Sequence, residues 1–286
     1  MVASGKPLSE TLTALIQFIE SQVPEMICTV LLMDEDGIRL RHGAAPSLPP
    51  ELIAAIDGSS IGPTVGSCGT AAYRKESVFV KDIAVDPLWA DYRNVFLFHG
   101  LRSCWSTPVF DETHRVLATF AIYFRRPALP EPLHLSLMDI ATHVAAIAIT
   151  RSRAEEKLQR SEQQLRLIYD TVSAVIFLLE VQPDRHFRFV SVNQAFLAAT
   201  GFRSEQVIGK YVEKIIPPSA QELAFSKYWT AINERRTVAW EESSLFSAGK
   251  NTAIVQVTPV FGSQDICTHL VGVVHDRNQF RQAEED

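Results

Sequence analysis

Residues 144–172, VAAIAITRSRAEEKLQRSEQQLRLIYDTV, decide how this chain is organised. Val144, Ile147, Arg151, Ala154, Leu158, Ser161, Leu165, Ile168 and Val172 follow one another at alternating steps of three and four. Such steps put a narrow stripe of side chains on one face of a helix, the seam along which two helices pair. Arg153, Glu155, Glu156, Lys157, Gln159, Arg160, Glu162 and Gln163 fill the other faces, so this is not the helix of a closed core. Arg151 and Ser161 interrupt the stripe, which leaves a solvated connector as the alternative. The stretch is expected to join two folded blocks and to pair with a second copy through Val144, Ile147, Leu158, Leu165, Ile168 and Val172.

The size of the chain agrees with two blocks. At 286 residues, with 47% apolar and 21% charged residues, it has material for two cores. A net charge of −6 gives no footprint for nucleic acid. No uninterrupted apolar run of about 18 residues occurs, so no membrane span is expected. The opening residues carry the pattern Leu8, Leu12, Leu15, Ile16, Ile19 of an amphipathic helix instead of a signal peptide, which points to the cytoplasm. Cys28, Cys68, Cys104 and Cys267 lack the close spacing of a metal site or disulfide framework, and no metal is expected.

Working outward, the block before the seam alternates helix and strand. Strands are expected at 27–33, 38–42, 78–81, 104–110 and 116–124, with a short helix at 51–56 and a closing helix from Leu133. Asp34-Glu35-Asp36-Gly37 punctuates a hairpin. The block after the seam reads as strands 175–179 and 187–192, a helix from Asn193 to Thr200 stopped by Gly201, and a helix opened by a Ser219-Ala220-Gln221-Glu222 capping box. Strands 237–246, 252–261 and 267–274 follow, with turns at 247–250 and 262–265. Both blocks are α+β, each a central antiparallel sheet flanked by helices, joined by the long helix. The expected boundaries are 1–150, a helical linker 151–165, a second domain 166–276 and a polar tail 277–286.

Two sets of residues carry a family resemblance. Asn193-Gln194-Ala195-Phe196, Thr200-Gly201-Phe202, Glu205-Gln206-Val207-Ile208-Gly209-Lys210 and the closing Val271-Gly272-Val273-Val274 with Asp276 resemble a PAS domain. Many PAS domains that drive an output helix end in Asp-Ile-Thr, whereas Arg277 and Asn278 follow Asp276 here. Gly62-Pro63-Thr64-Val65-Gly66-Ser67-Cys68-Gly69-Thr70-Ala71-Ala72, with Asp86-Pro87-Leu88-Trp89, His99-Gly100-Leu101-Arg102 and Trp105-Ser106-Thr107-Pro108, resembles a GAF domain. The pair is similar to the sensory regions of bacterial histidine kinases and cyclic-di-GMP signalling proteins. The resemblance implies a non-catalytic sensory input module, an input fragment or free-standing sensor, because no phosphoacceptor helix, cyclase loop or P-loop is found in these residues.

Candidate site residues follow from the same comparison. Cys68, in what reads as a glycine-flanked loop, is the candidate thiol of a methionine-sulfoxide-reductase-like enzyme or of a redox switch with Cys104. Enzymes of that class place a resolving cysteine in the segment 83–102, which contains none here. Cys68, Trp89, Tyr92, His99 and Trp105 are the candidate GAF pocket. Phe196, Trp229 and Trp240 are the candidate PAS pocket. A haem- or flavin-loaded sensor is the other alternative, and the cofactor is unknown. Cys267 in the last strand does not suit flavin-thiol photochemistry, and no histidine lies between residues 187 and 268 to serve a helix-borne haem. Asn193 reads as a helix N-cap.

Overall fold

In α1 (Leu8–Gln22), Leu12, Leu15, Ile16 and Ile19 line one face, and that face is buried. The computed structural model describes residues 6–243 and 252–276. It divides into two units, Met1–Leu158 and Gln159–Asp286.

In the first unit α1 is followed by β1 (Ile27–Met33), β2 (Arg39–Ala44), α2 (Pro50–Ile56), β3 (Ser59–Ser60), α3 (Gly66–Arg74), β4 (Val78–Val80), α4 (Arg93–Phe98), β5 (Ser103–Phe110) and β6 (Val116–Phe124). The strands make one antiparallel sheet in the order β3-β2-β1-β6-β5-β4. Gly37 turns the first hairpin at φ 69°, and Asp36 Oδ1 accepts from the Ile38 N–H at 2.7 Å. Side chains alternate along each strand, so the sheet separates two cores. Val30, Trp105, Val109, Phe120 and Ile122 meet α1 and the first half of α5 (Pro132–Thr171). Leu31, Cys104, Ala121 and Tyr123 meet the face covered by α2, α3 and α4, with Leu52, Ala71, Trp89 and Phe96. Each fully buried large apolar side chain contributes roughly 1.5–3 kcal/mol.

α5 runs unbroken for 40 residues. Leu137, Met138, Ala141, Ala145, Ala148 and Ile149 are its buried face. Its length and composition would suffice for a membrane span, contrary to the reading of the sequence as free of one; much of that apolar character is this core-facing stripe. A second stripe is bare: Ile147, Leu158, Leu165 and Ile168 are 59%, 60%, 65% and 54% exposed. Leu133 and Ile140, also exposed, continue the stripe towards the N-terminus at steps of seven before Ile147. Val144 is half-buried against the first core. Arg151 does not enter a core but pairs with Glu155 one turn on, at 2.7 Å.

The second unit holds β7 (Val175–Val181), β8 (Phe187–Val192), α6 (Gln194–Thr200), α7 (Ser204–Val207), α8 (Pro218–Glu234), β9 (Val238–Ser243), β10 (Thr252–Phe261) and β11 (Cys267–Asp276). The sheet order is β8-β7-β11-β10-β9, all antiparallel, so the last strand lies in the middle. Phe177 of β7 faces Gly272 of β11 across the ladder. A Cβ on Gly272 would lie 2.0 Å from the Phe177 ring, so only glycine leaves room for that aromatic. Gly201 ends α6 at φ 73°. The expected capping box at Ser219 is not what opens α8. Pro217 holds the N-cap position with Pro218 at the first helical residue, where a missing N–H costs nothing. Gln221 instead donates back to the carbonyls of Glu213 and Ile216. The turn expected at 247–250 and the polar tail lie outside the described residues, as does the end of the strand expected to reach Phe246.

Candidate functional site

The stretch 66–72, read from sequence as a loop, is the helix α3. Two glycines argue against helix locally, but close packing requires them. Gly66 enters the helix at φ 53°, a conformation that disfavours side chains. A Cβ on Gly69 would stand 2.8 Å from that of Val65 and 3.2 Å from the Ser60 carbonyl oxygen. Cys68 therefore sits in the first turn of a buried helix, pressed onto β5 and β6.

Around it the sheet is unusually polar for a core. Ser67 Oγ donates to the Cys104 carbonyl at 3.1 Å and accepts from Trp89 Nε1 at 3.1 Å. The Trp89 ring packs edge-on against Phe96 and Tyr123, which links α3 to the aromatic segment before β5. Interaction with the Cys104 thiol is the largest cause holding the Cys68 thiol below the ordinary thiol pKa, against the opposing effect of burial, and the Ser106, Thr119 and Tyr123 hydroxyls add to it. Burial, then the proximity of Cys68, pushes Cys104 up, and burial followed by the charge of the two thiols does the same to Tyr123. Cys28, on the other face of the sheet, is raised by burial and then by Glu20. The hydroxyls of Thr29, Ser106 and Thr119 are fully buried and lack a partner of regular geometry. Beside this cluster is a cavity of about 20 Å³ touched by Leu31, Val65, Cys68, Trp89, Tyr92 and Tyr123. That is room for one water-sized molecule.

Cys68, Trp89 and Tyr92 thus come together. Trp105 does not. Strand alternation turns it to the opposite face, where its Nε1 donates to the Ala128 carbonyl at 3.0 Å and its ring packs on Phe124 and His134. His99 is also apart, just past α4, with its ring against the exposed Phe98 and its carbonyl accepting from Arg125. Ser67, Ser106, Thr119 and Tyr123 were missed from sequence, although the alternation of β5 and β6 around Cys104 could have found the last three.

In the second unit the three aromatics share one core but have different neighbours. Phe196 packs on Phe177 and Phe189. Trp229 lies against Phe187 and beneath the Arg185 guanidinium, 4.7 Å from the ring centre. Trp240 meets Tyr228, and its Nε1 donates to Glu242 Oε2 at 3.1 Å. Glu242, not singled out from sequence, is a buried carboxyl on the helix-facing side of β9; burial raises its pKa and the Trp240 N–H partly offsets that. The Tyr228 phenol is pushed up by burial and by Glu242.

Asn193 is the N-cap of α6, its Oδ1 accepting from Phe196 N–H at 3.0 Å, and it does more. The same oxygen accepts from Ile176 N–H at 2.9 Å. Its Nδ2 faces the carbonyls of Tyr169, Val172 and Ala174 at 3.2, 3.4 and 2.8 Å. One fully buried amide thereby ties the end of α5 to β7 and α6. The Tyr169 hydroxyl adds a second tie, accepting from Ser191 Oγ at 3.1 Å.

Comparison with known proteins agrees with this architecture. The chain is 32% identical over 249 residues to the methyl sulfide methyltransferase-associated sensor of Methanosarcina acetivorans, a match covering 87% of this chain and 24% of that protein. The chain therefore spans about a quarter of the length of this relative. Among solved structures, a domain described as belonging to a two-component sensor histidine kinase of Sinorhizobium meliloti is 20% identical, with a TM-score of 0.45, covering 54% of this chain and 99% of the other. A PAS domain from Colwellia psychrerythraea is 19% identical, with a TM-score of 0.35, covering 41% and 97%. The family description "GAF domain" matches residues 5–150, and "PAS fold" matches residues 169–282. The chain belongs to the GAF family, its GAF domain followed by a PAS domain.

Proposed function

We propose that this chain is a non-catalytic sensory input module, in which a change in the GAF or PAS core alters the pairing of α5 with α5 of a second copy. The reading extends to a sensor histidine kinase or a cyclic-di-GMP cyclase or phosphodiesterase as the protein served. The observation that carries it is α5 itself. One helix donates a buried face to the GAF core, presents a bare heptad stripe, and is held at its far end by Asn193. One helix anchored in both folds has the form needed to couple them, provided that the two packings of the pair bind the signal with different affinity. The sensor named as a relative supports the same reading. The cavity beside Cys68, about 20 Å³, has room for a very small effector and not for a haem or flavin, since sites for cofactor-sized ligands run to roughly 300 Å³ or more.

Sedimentation equilibrium over a roughly hundredfold concentration range tests the pairing, because a dimer dissociates by mass action. The wild type should be dimeric, and the double variant Leu158→Glu, Leu165→Glu monomeric with both domains still folded. A wild type that stays monomeric at the top of the range overturns the proposal.

A further inference from the structure

Cys68 and Cys104 form a buried pair that the pairing of helices leaves unused. One comes from the first turn of α3 and the other from β5, in the same buried core, where Ser67 beside Cys68 donates to the Cys104 carbonyl at 3.1 Å. Ser106 and Thr119 are fully buried, without a regular partner, on the same face of the sheet as Cys104, and both help to hold the Cys68 thiol pKa down. Unsatisfied buried hydroxyls are costly, and a sulfur anion is the acceptor placed to use them. Cys68 also lines the small cavity. We infer that Cys68 and Cys104 are a reversible dithiol switch, oxidised to a disulfide by hydrogen peroxide entering that cavity.

The roles are unequal. Cys68 has the hydroxyl donors and the cavity, so its thiolate attacks a peroxide oxygen. The O–O bond breaks, Cys68 becomes a sulfenic acid, and the departing hydroxide takes up a proton to leave as water. Cys104, a thiol at rest because burial raises its pKa, attacks the sulfenic sulfur as it gives up its proton to the departing hydroxyl. An S–S bond forms, the S–OH bond breaks, and the Cys104 proton leaves with the hydroxyl as a second water. Both thiols have together lost two electrons to one peroxide. An external dithiol returns the pair to the reduced form by exchange.

Joining the two sulfurs at about 2.05 Å draws the start of α3 towards β5. Ser67, next in the chain, bridges the Cys104 carbonyl and the Trp89 indole, so the movement is delivered to the aromatic segment over the cavity. The sensory reading is needed for the consequence of this step but not for its chemistry. Selectivity follows from placement: Cys28 is fully buried on the opposite face of the sheet and Cys267 belongs to the PAS unit.

The test exposes the whole chain to hydrogen peroxide, alkylates it under denaturing conditions and maps the peptides by mass spectrometry. Two of the four cysteines should escape alkylation and be recovered as a Cys68–Cys104 cross-linked peptide, which dithiothreitol abolishes. In Cys104→Ser the sulfenic acid should persist at Cys68 and be trapped by dimedone. Four alkylated cysteines in peroxide-treated wild type overturn the proposal, as does a bond to Cys28, to Cys267 or between two copies. The wild-type map decides the matter if the variant fails to fold. The readout is covalent and independent of assembly, so a monomeric protein with the cross-link refutes the paired helix alone, and a dimer without it refutes the switch alone.

Discussion

Two buried polar centres of this protein are opposites. Around Asn193 each hydrogen-bonding atom of the amide is used, and the groups it meets are backbone ends that would otherwise be orphaned. On the Cys68 side of the sheet the hydroxyls of Thr29, Ser106 and Thr119 stand without regular partners, and Cys68 itself borders a small void. A saturated centre is a fastener, since any rearrangement loses bonds. An unsaturated one stores capacity for a bond not yet made, at a cost in stability. The contrast separates a region that holds the end of α5 from one that keeps bonding capacity unused.

The largest test of that contrast is Asn193→Ala. It strands the Ile176 and Phe196 N–H groups and the carbonyls at the end of α5, and should destabilise the PAS unit by about 3 kcal/mol. Urea unfolding followed by PAS-specific hydrogen exchange measures this; a change under about 1 kcal/mol would erase the distinction. Thr119→Val removes an orphan hydroxyl with little change of shape. It should leave the GAF unit unchanged or more stable by up to about 1 kcal/mol, while slowing alkylation of Cys68 because the thiolate loses a donor.

The smallest effect concerns Glu242, whose carboxyl is buried with a single indole N–H as its described partner. Its folded pKa lies above the unfolded value of 4.5 because burial disfavours the charge. The fold therefore binds more protons than the unfolded chain between those two values. The stabilising contribution is complete below about pH 4.5 and is lost as pH rises through the folded pKa. Glu242→Gln should flatten that slope and raise PAS stability at neutral pH by about 1 kcal/mol or less, as a pH series of unfolding midpoints would register.

The architecture was legible because its signals are long and periodic. α1, the hairpins and the long helix α5 rest on patterns of several residues that agree with one another. α3 was hidden because its glycines, poor helix formers, are present for close approach to Val65 and Ser60, a tertiary reason that no local window contains. Trp105 was misplaced among pocket residues by its motif neighbours, although strand alternation already set it opposite Cys104. The capping box at Ser219 lost to the proline pair just before it. The orphan hydroxyls were beyond reach, because being without a partner is a property of the assembled sheet and not of any segment.

Placing β11 at the centre of the PAS sheet has a consequence for biosynthesis. Phe177 must wait for Gly272, 95 positions later, to fill its slot, and β7 has no neighbour on that side until then. While the ribosome is still making residues 193–260, the PAS half cannot close, and the end of α5 leans on an unfinished sheet. The GAF half has every strand it needs by Phe124. A nascent chain would therefore hold a finished first domain and an open second one for most of the time needed to synthesise the latter, an interval in which chaperones and paired nascent copies could compete for its exposed strands.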